Sequence, residues 1–319
     1  MRRVAPAIGL FFVAPLVSEF LLGDFPITFL PLLIVLAPMY GGGALLIREV
    51  VRRTGRGWPC ILTLAFAYAI FEEAFTTQTL FNPNYLHLNL GLLKPAYIPA
   101  LGIGMWWTVF VLTLHTVWSV SVSIGLVEAL VPKRANQPWL GRPGLIVTAA
   151  LFVLGAVIST RFALKSDPFL ASRAQFTWSA IACLAVIVLA FRLPRTTTVQ
   201  PSGNAAAPSP WVVGAAALVA GSIFLVTPRE WAWRAVGIYL VLDVAMIAAV
   251  YLWSQRARWD GRHRLALAGG AALAYAWHAF LQAPVVPSSA VVNRISNAVF
   301  ALALIVLLVI AARRNAAPA

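Results

Sequence analysis

Two adjacent carboxylates, Glu72 and Glu73, stand in an apolar stretch, Pro59 to Phe81 (PCILTLAFAYAIFEEAFTTQTLF), long enough to cross a bilayer. Carboxylates can act as a general base, carry a proton or ligate a cation. One charged group at that depth costs about 2.5–3.5 kcal/mol on insertion scales, so the pair must face other helices or water. Side by side they repel each other, which favours a proton, a cation or a metal between them. At helical spacing Glu72, Thr76 and Thr79 share one face, and Glu73 and Thr77 lie on the adjacent stripe. With Gln78 they form a continuous polar surface on an otherwise apolar rod.

The next apolar stretch supplies an imidazole. Thr108, His115 and Ser119 follow i, i+7, i+11, with Trp118 beside them. Consecutive antiparallel spans joined by a short loop pack together. Glu72 and His115 reach the same depth if the second helix continues to Val131. Two glutamates and a histidine are ligand types for zinc or a similar divalent ion, with Glu73 and His115 the expected ligands. The same three groups could equally act as general base and proton relay. Between the two stretches, Asn82-Pro83-Asn84 is a turn, and the apolar remainder either re-enters the membrane or packs as an outer lid. His87 lies there, at the mouth of any cavity; a lone loop histidine is by default solvated. Thr76, Thr77, Gln78, Ser119, Trp118, His87 and Asn82 are the expected cavity-lining or substrate-facing residues.

An intramembrane Glu-Glu pair followed by His115-Thr-Val-Trp-Ser119 resembles the motifs of the CPBP group, the CAAX-protease and bacteriocin-processing membrane proteins. That family has EExxxR, FxxxH and HxxxN/D motifs. Here Thr77 stands at the arginine position, Ser119 at the Asn/Asp position, and no FxxxH intervenes. The resemblance spans residues 72–119. It implies an intramembrane metal-assisted hydrolase in which Glu72 or Glu73 activates water and His115 binds metal or stabilises an oxyanion. The implied substrate is a membrane-embedded peptide or lipid-linked molecule.

The elements that must hold these groups are all helical. Apolar residues make up 61% of the 319 positions and charged ones 11%, well outside the range of soluble domains. Mean hydropathy is +0.85. Apolar runs near 5–22, 25–42, 59–81, 100–122, 144–160, 176–192, 211–227, 235–254, 265–283 and 294–312 predict an all-α, polytopic bundle of about ten spans. The first run is expected to remain as an uncleaved span. An N-terminus in the cytoplasm puts 17 of the 24 Lys and Arg on the inner side, which predicts cytoplasmic termini and a cell-membrane location. The net charge of +14 sits in short clusters between apolar runs, so its partner is anionic lipid headgroups, not nucleic acid. Cys60 and Cys183 fall inside apolar runs and read as small core residues.

Pro31, Pro38 and Gly41-Gly42-Gly43 predict a kink or break in the second run. ALLIREVVRRTGRG then reads either as an interfacial helix or as the run's continuation into a basic loop. A Pro-, Ser-, Thr- and Ala-rich linker at 195–210 divides a six-span part, 1–194, from a four-span part, 211–319. In the latter, Asp243 and His278 are expected to pair as a structural couple. Counted five and five, they would also echo the Glu/His spans in inverted orientation, as transporters do. For Glu19 and Glu128 the expectation is interfacial snorkelling or one buried hydrogen bond. No P-loop, Rossmann fingerprint, HExxH, GxSxG or CxxC is present, which leaves nucleotide-driven transport without support. Three readings remain: the metal-assisted hydrolase, a proton- or cation-coupled transporter, and a non-catalytic scaffold.

Overall fold

The computed structural model describes residues 4–195 and 205–316, so most of the expected linker lies outside the described residues. In hydrocarbon each backbone N–H and C=O must find its partner within the chain, and apolar runs of this length do so as helices. Ten are present among the described residues: α1 (Ala5–Leu21), α2 (Ile27–Arg53), α3 (Trp58–Thr76), α4 (Met105–Leu130), α5 (Arg142–Ser166), α6 (Arg173–Arg192), α7 (Pro210–Val226), α8 (Trp233–Ser254), α9 (Gly261–His278) and α10 (Ala290–Ala316). Seven are long and apolar enough to cross a membrane; α1 and α7 are shorter apolar helices, and α9 begins on the polar run Arg262-His263-Arg264. The only strands among the described residues are two-residue β1 (Tyr97–Ile98) and β2 (Ile103–Gly104), paired antiparallel with Tyr97 opposite Gly104.

The second apolar run does not break. α2 starts as a 3-10 turn around Pro31 and then continues through Pro38 and the three glycines to Arg53. The glycines serve close packing instead: a Cβ on Gly41 would strike the Phe11 carbonyl of α1. Gly155 of α5 does the reciprocal job against the backbone at Met39. The expected interfacial helix is therefore the end of α2, with Arg48 and Glu49 fully buried.

That burial is tolerated because every charge is met. Glu128 of α4 accepts from Arg48 Nε (3.1 Å) and from Arg52 Nε and a terminal nitrogen (2.9 and 2.7 Å). Glu49 accepts from Arg48 (2.6 Å) and from the backbone N–H of Trp139 and Leu140 (2.8 and 3.1 Å). The rest of the Arg48 guanidinium donates to the carbonyls of Ala135 and Gln137 and lies 3.2 Å from the Trp139 ring centroid. Snorkelling of Glu128 is thereby corrected: it is the acceptor of a three-element latch at the arginine-rich end of the bundle.

One core joins the two parts of the chain. Trp118 of α4 stacks on Tyr275 of α9 (centroids 4.6 Å, planes 2° apart) and donates to the Ala271 carbonyl. Phe110 stacks on Phe224 of α7 at 5.1 Å, and Tyr239 of α8 completes the group. α9 can sit deep because its Gly269, Gly270, Ala271, Ala272 and Ala274 present almost no side-chain thickness to α7 and α10.

Candidate functional site

Three helices that face one another widen at the same level. α1 carries an i→i+5 turn over Leu16–Leu21, α3 one over Glu72–Thr76 and α4 one over His115–Val122. In α3 the wide turn closes with Thr77 N–H donating to the Glu72 carbonyl (3.0 Å). Such turns insert a residue into the helix and recur at functional sites. Here they carry Glu19, Glu72 with Glu73, and His115 with Ser119, so the polar groups gather where the helices are locally unwound.

The imidazole stands between the two carboxylates. His115 Nε2 is 2.9 Å from Glu73 Oε1, and Nδ1 is 3.2 Å from Glu72 Oε2 and 3.0 Å from Ser119 Oγ. All three residues are at most 5% exposed. One ligand atom from each lies within 4.8 Å of the others, a spacing that could hold a metal ion. The donor set also fits: two hard carboxylates and an imidazole suit zinc or a related divalent ion. Glu72 Oε2 is buried without a well-directed hydrogen bond, with His115 Nδ1 and the Tyr68 and Tyr40 hydroxyls as the polar groups near that carboxylate.

Around this core the polar groups are ordered in a chain. Trp107 Nε1 donates to Thr79 Oγ1 (2.9 Å), and the Thr79 hydroxyl donates to Glu73 Oε2. Thr77 donates to the same oxygen at 3.2 Å. Glu73 is thus oriented on one side by hydroxyls and on the other by His115. Thr76 donates to the Glu72 carbonyl, freed by the wide turn. Two tyrosines wall the imidazole: Tyr40 of α2 stacks on it at 6.0 Å, and Tyr68 of α3 meets it edge-on at 6.5 Å. Tyr40 Oη donates to Glu19 Oε1 (2.5 Å), so Glu19 is a hydrogen-bonded member of the cluster's surroundings, not a snorkelling group. Neither tyrosine stands out in the sequence, because an aromatic in an apolar run reads as core.

The remaining expected residues are dispersed. Gln78 accepts from the Ala171 N–H (2.8 Å) and Asn82 donates to Asp167 (2.8 Å), so both tie the segment after α3 to the α5–α6 connection. Trp118 belongs to the shared core. His87 is exposed in the loop and makes no contact with the carboxylates among the described residues. Asp243 accepts from Thr113 (2.8 Å), and His278 Nδ1 is buried without a partner. The Asp243–His278 couple therefore does not form an ion pair among the described residues, and the inverted-repeat reading loses its second site.

The 77–104 segment closes one end of the site. Leu80, Phe81 and Asn82, near its start, are buried. Burial, then the charges of Glu73 and Glu19, push the Tyr85 phenol above its ordinary pKa. Gln78, Leu86, His87, Asn89 and Ala96 all have φ between 52° and 58°. That is left-handed backbone which costs side-chain-bearing residues free energy and concentrates near functional sites. A groove of about 400 Å³ runs between α3 and α5, lined by Phe71, Phe75, Thr76, Phe152, Val157 and Arg161. Its wall is apolar, and Thr76 is its link to the Glu72 turn.

No curated protein and no solved structure matches this chain. A family model does match, described as an uncharacterized membrane protein family, and it covers residues 10–318. This overturns the resemblance to the CAAX-protease group: Glu72-Glu73 and His115-xxx-Ser119 are a short local likeness, and motifs that short recur by chance in helices built from few residue types. The chain is a multi-pass integral membrane protein and belongs to that uncharacterized membrane protein family.

Proposed function

We propose that Glu72, Glu73 and His115 form an intramembrane centre for a divalent metal, zinc or similar, and that the centre hydrolyses a membrane-embedded peptide or lipid-linked substrate. The observation that carries this reading is the convergence of three buried ligand atoms within 4.8 Å, one carboxylate oxygen among them having no directed partner. Glu73 and His115 would hold the ion, with Thr79, Thr77 and Ser119 fixing their orientation as outer groups. A bound divalent ion supplies Lewis-acid polarisation and a more acidic water. Glu72 is placed to take a proton at Oε2, and a His115 that gave Nε2 to the ion would keep its proton on Nδ1, 3.2 Å from that oxygen, as a hydrogen-bond donor to it. The lateral groove offers an apolar approach from the bilayer that ends at Thr76. The bundle excludes water elsewhere, since the residues around the cluster are buried.

The test is elemental analysis of the full chain purified without added chelator, beside Glu72→Gln, Glu73→Gln and His115→Ala, with helicity checked by circular dichroism. Near-stoichiometric divalent metal in the parent and loss in Glu73→Gln and His115→Ala supports the centre. Equal metal content in parent and all variants ends it.

A second reading has one observation in its favour. Glu19 is hydrogen-bonded to Tyr40, which itself stacks on His115, so acidic groups continue from α3 across to α1. The same carboxylates could then pass a proton or a monovalent cation. Proteoliposomes loaded with a pH dye would show Glu19- and Glu72-dependent flux; none in the parent removes that reading.

A further inference from the structure

At the arginine-rich end of the bundle a second, smaller cavity of about 180 Å³ lies between α3, α4, α9 and α10. Trp58, Glu128, Pro132, Ala135, Arg264 and Asn315 are among its walls. Far more than one water's volume fits there. The polar atoms on those walls are unbalanced. Glu128 is the one carboxylate, and both its oxygens are already taken by Arg48 and Arg52. The Asn315 amide donates to the carbonyls of Ala129 and Ala311. Two donors are left. The Arg264 side chain makes no hydrogen bond or ion pair among the described residues, and Glu128, Arg52 and Asp260 are the charges that act on it. The indole N–H of Trp58 is buried with no acceptor. A buried indole donor normally has a partner, and an unmet one marks a missing acceptor.

We infer that this cavity is a phosphate-binding site, with Arg264 as the charged contact and Trp58 Nε1 as a neutral donor. A planar guanidinium matches phosphate oxygens in pairs, and a single-donor indole can reach a third. The surroundings favour an anion, because the nearby carboxylates are already paired: Glu49 with Arg48, Glu128 with Arg48 and Arg52, and Asp260 with His263. The phosphate can belong to a lipid headgroup at the membrane surface or to a free ion. The inference stands apart from the Glu72–Glu73–His115 centre and survives if that centre proves empty.

The experiment is native mass spectrometry and thermal shift on the delipidated full chain in neutral detergent. Its probes are dioleoyl-phosphatidic acid, dioleoylglycerol and inorganic phosphate, each applied to the parent, Arg264→Gln, Trp58→Phe and the surface variant Arg262→Gln. Retention of one phosphatidic acid in strong preference to dioleoylglycerol is expected, falling about tenfold in Arg264→Gln and severalfold in Trp58→Phe, with Arg262→Gln unchanged. Trp58→Phe keeps the ring and its packing, so it reports on the donor even if Arg264→Gln folds poorly. Protection by inorganic phosphate alone, lost in Arg264→Gln, upholds the site and assigns it to a free anion. Equal retention of both lipids by parent and variants, with no response to phosphate, overturns it.

Discussion

Arg48→Met isolates the latch that fixes α2 to α4 and the 131–140 segment. Methionine matches the length of the arginine stem, so little volume is lost. What disappears is the Glu128 contact at 3.1 Å, the Glu49 contact at 2.6 Å, the two carbonyl contacts at 2.8 Å and the stack on Trp139. Glu128 keeps Arg52, and Glu49 keeps two backbone donors, so neither carboxylate is stripped bare. Removing one partner from a buried ion pair nevertheless costs about 3–5 kcal/mol, since the charge left behind stays buried. Arg53→Met is the comparison: its contact to Glu49 is 3.6 Å long and partly exposed, and its hydrogen bond to the Leu140 carbonyl lies at the surface, which puts its effect at or below about 1 kcal/mol. Both would be measured by dodecyl sulfate titration in mixed micelles, following tryptophan fluorescence. A gap of 2 kcal/mol or more between them, on the order expected from burial, is the predicted result. Equal destabilisation would show that Arg48 is compensated elsewhere and refute the latch.

Thr79→Val removes the hydroxyl between Trp107 and Glu73 at nearly constant shape. If the metal centre is as proposed, affinity in a chelator competition falls roughly 10- to 100-fold, the usual cost of losing an outer orienting group. Gly155→Leu forces a side chain into the α2 backbone near Met39 and lowers folded yield and thermal stability, by roughly 1–3 kcal/mol or more. Gly237→Ala meets open space within its helix and gains up to about 1 kcal/mol. Asp24, in the α1–α2 turn, has its carboxyl pushed up to about 6 by burial, against the Gln282 amide that donates to it at 2.9 Å. A raised folded pKa means the folded chain holds the proton longer than the unfolded one, whose value is near 3.9. Asp24 therefore supports the fold below about pH 4 and loses that support as pH rises through about 6. In a thermal scan against pH, Asp24→Asn should flatten that decline.

Much of this was legible in the residues. The apolar runs announce helices, and a buried Glu pair requires a counter-group, for which His115 was the nearest candidate at matching depth. What stayed hidden has one main cause. A helical wheel assumes 3.6 residues per turn, and the wide turns at Glu72–Thr76 and His115–Val122 break that period where the chemistry lies. Face assignments beyond them slip, so Gln78 and Trp118 turn out to serve packing and loop attachment instead of the cavity. The kink or break expected in α2 is absent for a different reason. Proline and glycine speak for a break only when nothing packs on them, and here α1 and α5 close on the glycines from both sides. Asp243 and His278 were paired on spacing alone, which carries no information about which neighbour a helix chooses.

The stacked Trp118–Tyr275 pair and the Phe110–Phe224 contact build the interior of the protein from residues on either side of positions 196–204. Neither fragment made separately could hide those rings. Two open reading frames, one ending after Arg195 and one starting at Ala205, should consequently rescue each other: co-expressed, they ought to co-purify through a tag on either, whereas each alone should be degraded. Exchanging Tyr275 for alanine ought to weaken that reunion.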